Sequence, residues 1–315
     1  MSILLDEIAR AGTIAIGGHI RPDGDCVGAC MGLYGYLSDN YPDRRAAVYL
    51  EELPEAFSYL NREEAFTEPM ESCDLFISLD CGAADRLGPS EQVFRRAKRT
   101  LNIDHHISNE QFADVNYVEP KASSTCEVLC GLLEMDKIRS FSAQAFYTGI
   151  IHDTGVFKHS NTSRRTMEYA GCLMEKGIPF GKILDESFYF KTYKQLQIMG
   201  RCLLESVRVM DGRCIFSVVT RRVLEFYNAR PSDLSGVIDE LRTTEGVEVA
   251  ILLTEKDTVE YKVSMRSNSI VDVNKIAVFF GGGGHIRAAG CEIKGSAFDV
   301  INNITEHIEK QLGEA

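Results

Sequence analysis

Three short, apolar, β-prone runs in this chain each end on a residue able to hold a metal ion. "AIGG" runs into His19, "FISL" into Asp80, and "LNI" into Asp104 and His105. A further run, "RAAVYL" at 45–50, and helical patterns between the runs complete an alternation that predicts a mainly parallel sheet with helices on both faces. In such a sheet the carboxyl ends of the strands share one edge, where open α/β folds bind ligands. Residues far apart in sequence would meet there.

Two other segments reach the same edge. The loop "HIRPDGDCVG" sets Asp23 and Asp25 on either side of a glycine, in a turn that can wrap two carboxylates around one point. The helix opening near Cys26 is expected to aim its free N–H groups at an anion on this edge. Asp153, in "GIIHDTGVF", stands at a helix end before a glycine turn. Taken singly, each residue has an ordinary explanation as a turn residue, cap or surface histidine. Their joint placement points to a site.

Oxygen and imidazole donors without thiolates suit Mn²⁺ or Mg²⁺, with iron or cobalt tolerated, better than a structural zinc. Several carboxylates around one point cannot all ionise without cations to neutralise them. Two metals are therefore expected, a pair about 3.5–4 Å apart being a known solution for phosphoryl hydrolysis.

The rest of the chain bounds its class. A net charge of −12 argues against a surface that holds long or duplex nucleic acid, but leaves small anionic substrates open. The opening "MSILLDEIARAG" reads as an amphipathic helix with Ile3, Leu4 and Ile8 on one face, too short in its apolar segment for a signal peptide. No apolar run approaches the roughly 20 residues that span a bilayer. A cytoplasmic protein without membrane partners is expected. Ten cysteines without a CxxC pair, including Cys26, Cys30, Cys126 and Cys130, read as reduced and buried.

Beyond "SSTCEVLCGLLEM", where Ser124 or Thr125 can cap a helix, and the helical "SAQAFYTGIIHDTG", the segment "GKILDESFYFKTYKQLQIMGRCLLES" keeps helical periodicity. The pattern then changes to strands, with hairpins expected about Asp211-Gly212 and Lys256-Asp257, a helix at "VNKIAVFF" and another over 298–312. This divides the chain into a metal-binding domain over 1–185, a helical linker over 186–200, and a smaller α/β domain with a mixed sheet over 201–315.

"HIRPDGD", "DLFISLDCGAADR", "NIDHH" and "GIIHDTG", in this order, resemble the motifs of the DHH phosphoesterase superfamily. "FFGGGGHIRAAG" resembles the signature of the DHH-associated C-terminal domain. The resemblance spans nearly the whole chain, and its compact size is similar to that of the bacterial oligoribonuclease and 3′-phosphoadenosine-5′-phosphate (pAp) phosphatase group. One departure is "VGAC", with Ala29 and Cys30 where the family pattern usually has a serine; it removes no ligand.

The resemblance implies a homodimeric dimanganese hydrolase, with Mg²⁺ or Co²⁺ as substitutes and the active site in the cleft between the domains. His19 and Asp23 would hold one metal, Asp25, His105 and Asp153 the other, and Asp80 would bridge them. A metal-bridging hydroxide would attack phosphorus, with His106 as proton donor to the leaving oxygen and Asp104 orienting a histidine. The substrates implied are short RNA oligonucleotides, pAp, or both. Arg266 matches the family's basic position for substrate phosphate, and Gly282, Gly283 and Gly284 with His285 would admit phosphate close to the backbone. Competing readings are a linear dinucleotide (pApA or pGpG) phosphodiesterase, an inorganic pyrophosphatase or exopolyphosphatase-like hydrolase, and a non-catalytic nucleotide sensor.

Overall fold

The computed structural model describes residues 2–66 and 70–313. The chain divides into two compact units, one ending at Phe190 and the other beginning at Lys191.

Among the described residues of the first unit, five strands form one sheet: β1 (Thr13–Gly17), β2 (Arg45–Tyr49), β3 (Leu75–Leu79), β4 (Thr100–Asp104) and β5 (Val115–Val118). The order is β2-β1-β3-β4-β5 and every pairing is parallel. The chain leaves β1 toward β2 and returns to β3 on the opposite side, so the order reverses between β1 and β3. That reversal opens the crevice where such sheets take ligands.

Among the described residues, seven α-helices accompany this sheet: α1 (Ile3–Arg10), α2 (Gly24–Asn40), α3 (Glu91–Arg96), α4 (Thr125–Leu132), α5 (Ser140–Asp153), α6 (Arg164–Met174) and α7 (Phe180–Leu184). Strand alternation fills two cores. Leu75, Ile77 and Leu79 of β3 pack into the larger core with α2, α4 and α5, while Phe76 faces a smaller one with Phe94 and Met70. Both faces are covered, as parallel sheets require. In α1 the buried face is Leu4, Leu5 and Ile8, and Ile3 is exposed, so the predicted stripe is rotated by one residue.

The helical segment after residue 180 is not continuous. A π-helical turn at Asp185–Tyr189 follows α7, and extended backbone at Phe190 precedes α8 (Tyr193–Leu204), capped by Thr192.

The second unit carries a six-stranded sheet among its described residues: β6 (Val207–Val209), β7 (Cys214–Val219), β8 (Val249–Asp257), β9 (Glu260–Ser267), β10 (Gly283–His285) and β11 (Ala288–Lys294). Its order is β10-β11-β9-β8-β7-β6, with β7 and β8 parallel and the other pairings antiparallel. Helices α9 (Arg221–Phe226), α10 (Val237–Arg242), α11 (Val273–Phe279) and α12 (Ala297–Gly313) complete it. The β6–β7 turn falls at Asp211-Gly212 as expected, with Met210 and Asp211 at φ of 58° and 54°. The β8–β9 turn lies later than predicted, because β8 extends through Asp257 and Thr258-Val259 makes the corner. Among the described residues, no helix is long and apolar enough to cross a membrane.

Candidate metal centre

Strand ends deliver the core of the site. His19 follows β1, Asp80 follows β3, and His105 follows β4, while Asp153 is the last residue of α5. Asp80 adopts φ 54°, a left-handed conformation that aspartate tolerates better than most residues. Asp25 (0 % exposed) and Asp80 (2 %) are the most deeply buried acids of the group.

The two oxygens of Asp80 face different partners. Oδ2 lies 3.5 Å from His19 Nε2, which is 3.7 Å from Asp23 Oδ1. Oδ1 lies 3.7 Å from His105 Nε2, which is 3.0 Å from Asp153 Oδ2 and 3.9 Å from Asp25 Oδ2. The donors thus form two groups that share one carboxylate.

Each histidine is turned by its backbone. The Nδ1–H of His19 donates to the carbonyl of Ile20 (2.8 Å), and that of His105 to Ala122 (3.3 Å). Both rings therefore direct Nε2 inward, the arrangement by which a distal hydrogen bond fixes a metal-binding tautomer.

Electrostatics point the same way. Burial, followed by the charges of Asp80 and Asp153, pushes the Asp25 carboxyl well above its usual range. Burial and Asp80 likewise raise Asp153. For His105, burial disfavours the cation, but the bond to Asp153 and the charges of Asp25 and Asp80 outweigh it and lift the pKa to about 10. His19 is raised too, its burial outweighed by Asp23 and Asp80. Four carboxylates beside two imidazoles form a pocket short of positive charge, and two divalent cations would cancel the four negative charges. Donor set and charge both fit such a pair.

Cys26 also lies beside His19 and Asp80. Burial pushes its thiol well above the usual range, so it stays neutral, as the sequence reading of a small buried residue requires.

The first turn of α2 departs from expectation. Its N–H groups are not free to meet an external anion, because the Asp23 side chain caps the helix, accepting from Asp25 and Cys26 N–H at 3.1 Å. The helix that receives an anion is α4, whose Thr125 and Cys126 N–H groups donate to Asp25 Oδ2 and Oδ1 at 2.6 and 3.0 Å. Ser124, not Thr125, caps α4, by accepting from Glu127 N–H. A side-chain carbon on Gly149 of α5 would stand 2.6 Å from Asp25 Oδ1, so glycine there keeps that carboxylate in place.

Asp104 orients His106 rather than His105. His106 Nδ1 bonds Asp104 Oδ1 at 2.7 Å, and Asn109 Nδ2 donates to Asp104 Oδ2 (2.6 Å) and to Asn102 Oδ1 (2.8 Å). Asp104 raises the pKa of His106, whereas the His106 and Asn109 bonds outweigh burial and lower that of Asp104. Asn109 escaped the sequence reading, as did Thr125 in its bonding role. Neither has a local signature, since both act through partners distant in sequence or across a loop.

Behind the site, Arg165 bonds Glu119 and Glu127, each at 2.6 Å. Glu127 also accepts from Ser123 and Thr166. Arg164 pairs with Glu168 at the surface.

The remaining predicted residues lie in the second unit. Arg266 is the penultimate residue of β9, its side chain partly buried, donating to Met265 O and standing 3.8 Å from Asp239. Gly283, Gly284 and His285 form the exposed edge strand β10 rather than an open loop. A side-chain carbon on Gly282 would meet Gly290 O at 2.2 Å, and one on Gly284 would meet Ala288 O at 2.5 Å, so these two glycines serve the packing of β10 on β11. Gly283 faces open space. Arg287 is tied to the carbonyls of Val271 and Ser269.

Comparison with known proteins agrees with this architecture. The profile for the DHH family, N-terminal domain, matches residues 13–150, and that for the DHHA1 domain matches residues 212–314. The bifunctional oligoribonuclease and PAP phosphatase NrnA of Thermus thermophilus is 28% identical, covering 99% of this chain and 94% of that protein. The protein of the same name from Bacillus subtilis is 26% identical, with 92% of each chain covered. The crystal structure of an exopolyphosphatase-related protein from Bacteroides fragilis superposes with a TM-score of 0.84 at 25% identity, covering 98% of this chain and 94% of the other. With both domains matched in order and relatives aligned along nearly its full length, the chain belongs to the DHH family and is a hydrolytic phosphoesterase with a DHHA1 domain.

Proposed function

We propose that this protein is a manganese-dependent phosphoesterase that cleaves short RNA oligonucleotides to mononucleotides and converts pAp to AMP and phosphate, acting in the cytoplasm as a homodimer. The observation that carries this reading is the shared carboxylate: Asp80 presents one oxygen to His19 and the other to His105. His19 and Asp23 would hold one ion, and Asp25, His105 and Asp153 the other. A pair of divalent cations so held supplies an acidified water for attack on phosphorus and charge to offset the phosphoryl oxygens.

The chain's own residues do the rest. Asp104 fixes the His106 ring through Nδ1 and favours its protonated form, which suits His106 to protonate the departing oxygen. Arg266, Gly283 and His285 are the substrate-phosphate contacts in this reading, Gly282 and Gly284 shaping the strand that presents them. The substrate class rests on the names of the relatives, two of which align over more than nine-tenths of their length.

Turnover by the purified protein with Mn²⁺ tests the reading, comparing pAp, a 5′-phosphorylated RNA dinucleotide, a longer single strand and pyrophosphate, with Asp80→Ala as control. Release of mononucleotide from the dinucleotide and of phosphate from pAp, lost in the variant, is expected. Cleavage of pyrophosphate alone, or nucleotide binding without turnover, would overturn it. Mg²⁺ and Co²⁺ in place of Mn²⁺ identify the preferred ion.

A further inference from the structure

The first residue of α4 touches both buried carboxylates of the candidate centre. Thr125 is fully buried, its N–H donates to Asp25 Oδ2 at 2.6 Å, and its hydroxyl donates to Asp80 Oδ1 at 3.1 Å. A carboxylate in a metal pocket is an acceptor, so the single hydroxyl proton belongs on the Asp80 bond. Because Ser124 takes the capping role, the Thr125 hydroxyl is free for this contact.

The choice of oxygen matters. Oδ1 is the Asp80 atom facing His105 and His106, while Oδ2 faces His19. A donor on Oδ1 fixes the rotation of the carboxylate about its Cβ–Cγ bond, and so keeps one oxygen toward each donor group. The Thr125 N–H fixes Asp25 in the second group at the same time. One residue, on a helix whose start is anchored by Ser124, thereby bonds both the shared carboxylate and a carboxylate of the second group.

We infer that Thr125 is a positioning residue for the paired metal site, holding Asp80 in its shared orientation through its hydroxyl. This rests on the dimetal reading of the site. Groups that orient metal-bound carboxylates typically change metal affinity by about 10–100-fold when removed. Thr125→Val preserves shape and the N–H bond to Asp25 while deleting only the hydroxyl. Thr125→Ser restores it.

The test is calorimetric Mn²⁺ binding to the metal-stripped full chain, with electron paramagnetic resonance of the loaded protein as a second readout and melting of each metal-stripped variant as the folding control. Wild type is expected to bind two ions with an exchange-coupled signal. Thr125→Val should bind at least one ion about 10–100-fold more weakly and lose coupled signal at equal loading, and Thr125→Ser should recover to within a few-fold. The inference is overturned if Thr125→Val, folded, binds and couples two ions as wild type does, or if Thr125→Ser fails as Thr125→Val does. A wild type that binds no pair sinks the dimetal reading itself, a different outcome. Should Thr125→Val not fold, Thr125→Ala and Thr125→Ser are compared on the same readouts, with the same two results deciding.

Discussion

His106 Nδ1 stands 2.7 Å from Asp104 Oδ1, and the same carboxylate group is held from its other oxygen by Asn109. This arrangement fixes the ring and favours its charged form. His106→Ala should lower kcat by about 10²–10⁴-fold, the usual worth of a positioned proton donor. Asp104→Asn should lower it less, about 10–100-fold, as an orienting group does. Since Asp104 raises the His106 pKa, its neutralisation should also move the alkaline limb of the pH–rate profile to lower pH. Steady-state kinetics across pH read all three effects, and an unmoved limb would exclude His106 as the donor.

Metal binding should compete with protons. The Asp153 bond and neighbouring carboxylates lift the His105 pKa to about 10, so at neutral pH an ion must displace the proton there. Affinity for Mn²⁺ should rise with pH below that value and level off above it. Calorimetry in two buffers of different ionisation enthalpy measures the protons released. Chelation should lower the melting temperature, since an ion at 100 times its Kd contributes about 2.7 kcal/mol.

Acid should weaken the support behind α4. Burial works to raise the Glu127 pKa, but bonds from Ser123, Thr166 and Arg165 prevail and hold it below the ordinary value of 4.5. The charged carboxylate therefore adds stability above that pH, lost as pH falls through the lower folded value. Glu127→Gln should cost about 1.5–3 kcal/mol at pH 7, the worth of hydrogen bonds to a charged group, and the gap from wild type should narrow in acid. Denaturant unfolding of both proteins at several pH values gives the curve.

Position 155, in the turn after Asp153, should resist a side chain. Gly155, Val156 and Phe157 all have positive φ, at 54°, 57° and 64°. A methyl on Gly155 would also meet the His159 ring at 2.5 Å. Gly155→Ala should destabilise by more than about 1 kcal/mol and weaken Mn²⁺ binding, because Asp153 adjoins the turn. Val156→Gly relieves a left-handed β-branched residue worth about 1–2 kcal/mol, so it should cost little or stabilise. Thermal melts and Mn²⁺ titration separate the two substitutions.

Strands β1 to β4 were legible because each is a short apolar run that stops at a polar residue, and the same stops carry His19, Asp80 and His105. Strand β5 was not. Val115–Val118 is a half-buried edge strand with an asparagine inside it, and its pairing with β4 supplies what its sequence lacks. The role of the α2 N-terminus was misread because Asp23 can either cap a helix or face a ligand, and spacing does not separate the two. The bonding roles of Thr125, Asn109 and Arg165 stayed hidden for a related reason. Their partners lie in other segments, and only packing brings them together.

The candidate metal ligands span His19 to Asp153, and β1 and β3, neighbours in the sheet, are not successive in the chain. During synthesis, a growing polypeptide has its first donors long before its last. The set is complete only once α5 has left the ribosome and docked against α2. An ion captured earlier would find a partial set, so a metal pair at this site would be complete only after α5 has docked.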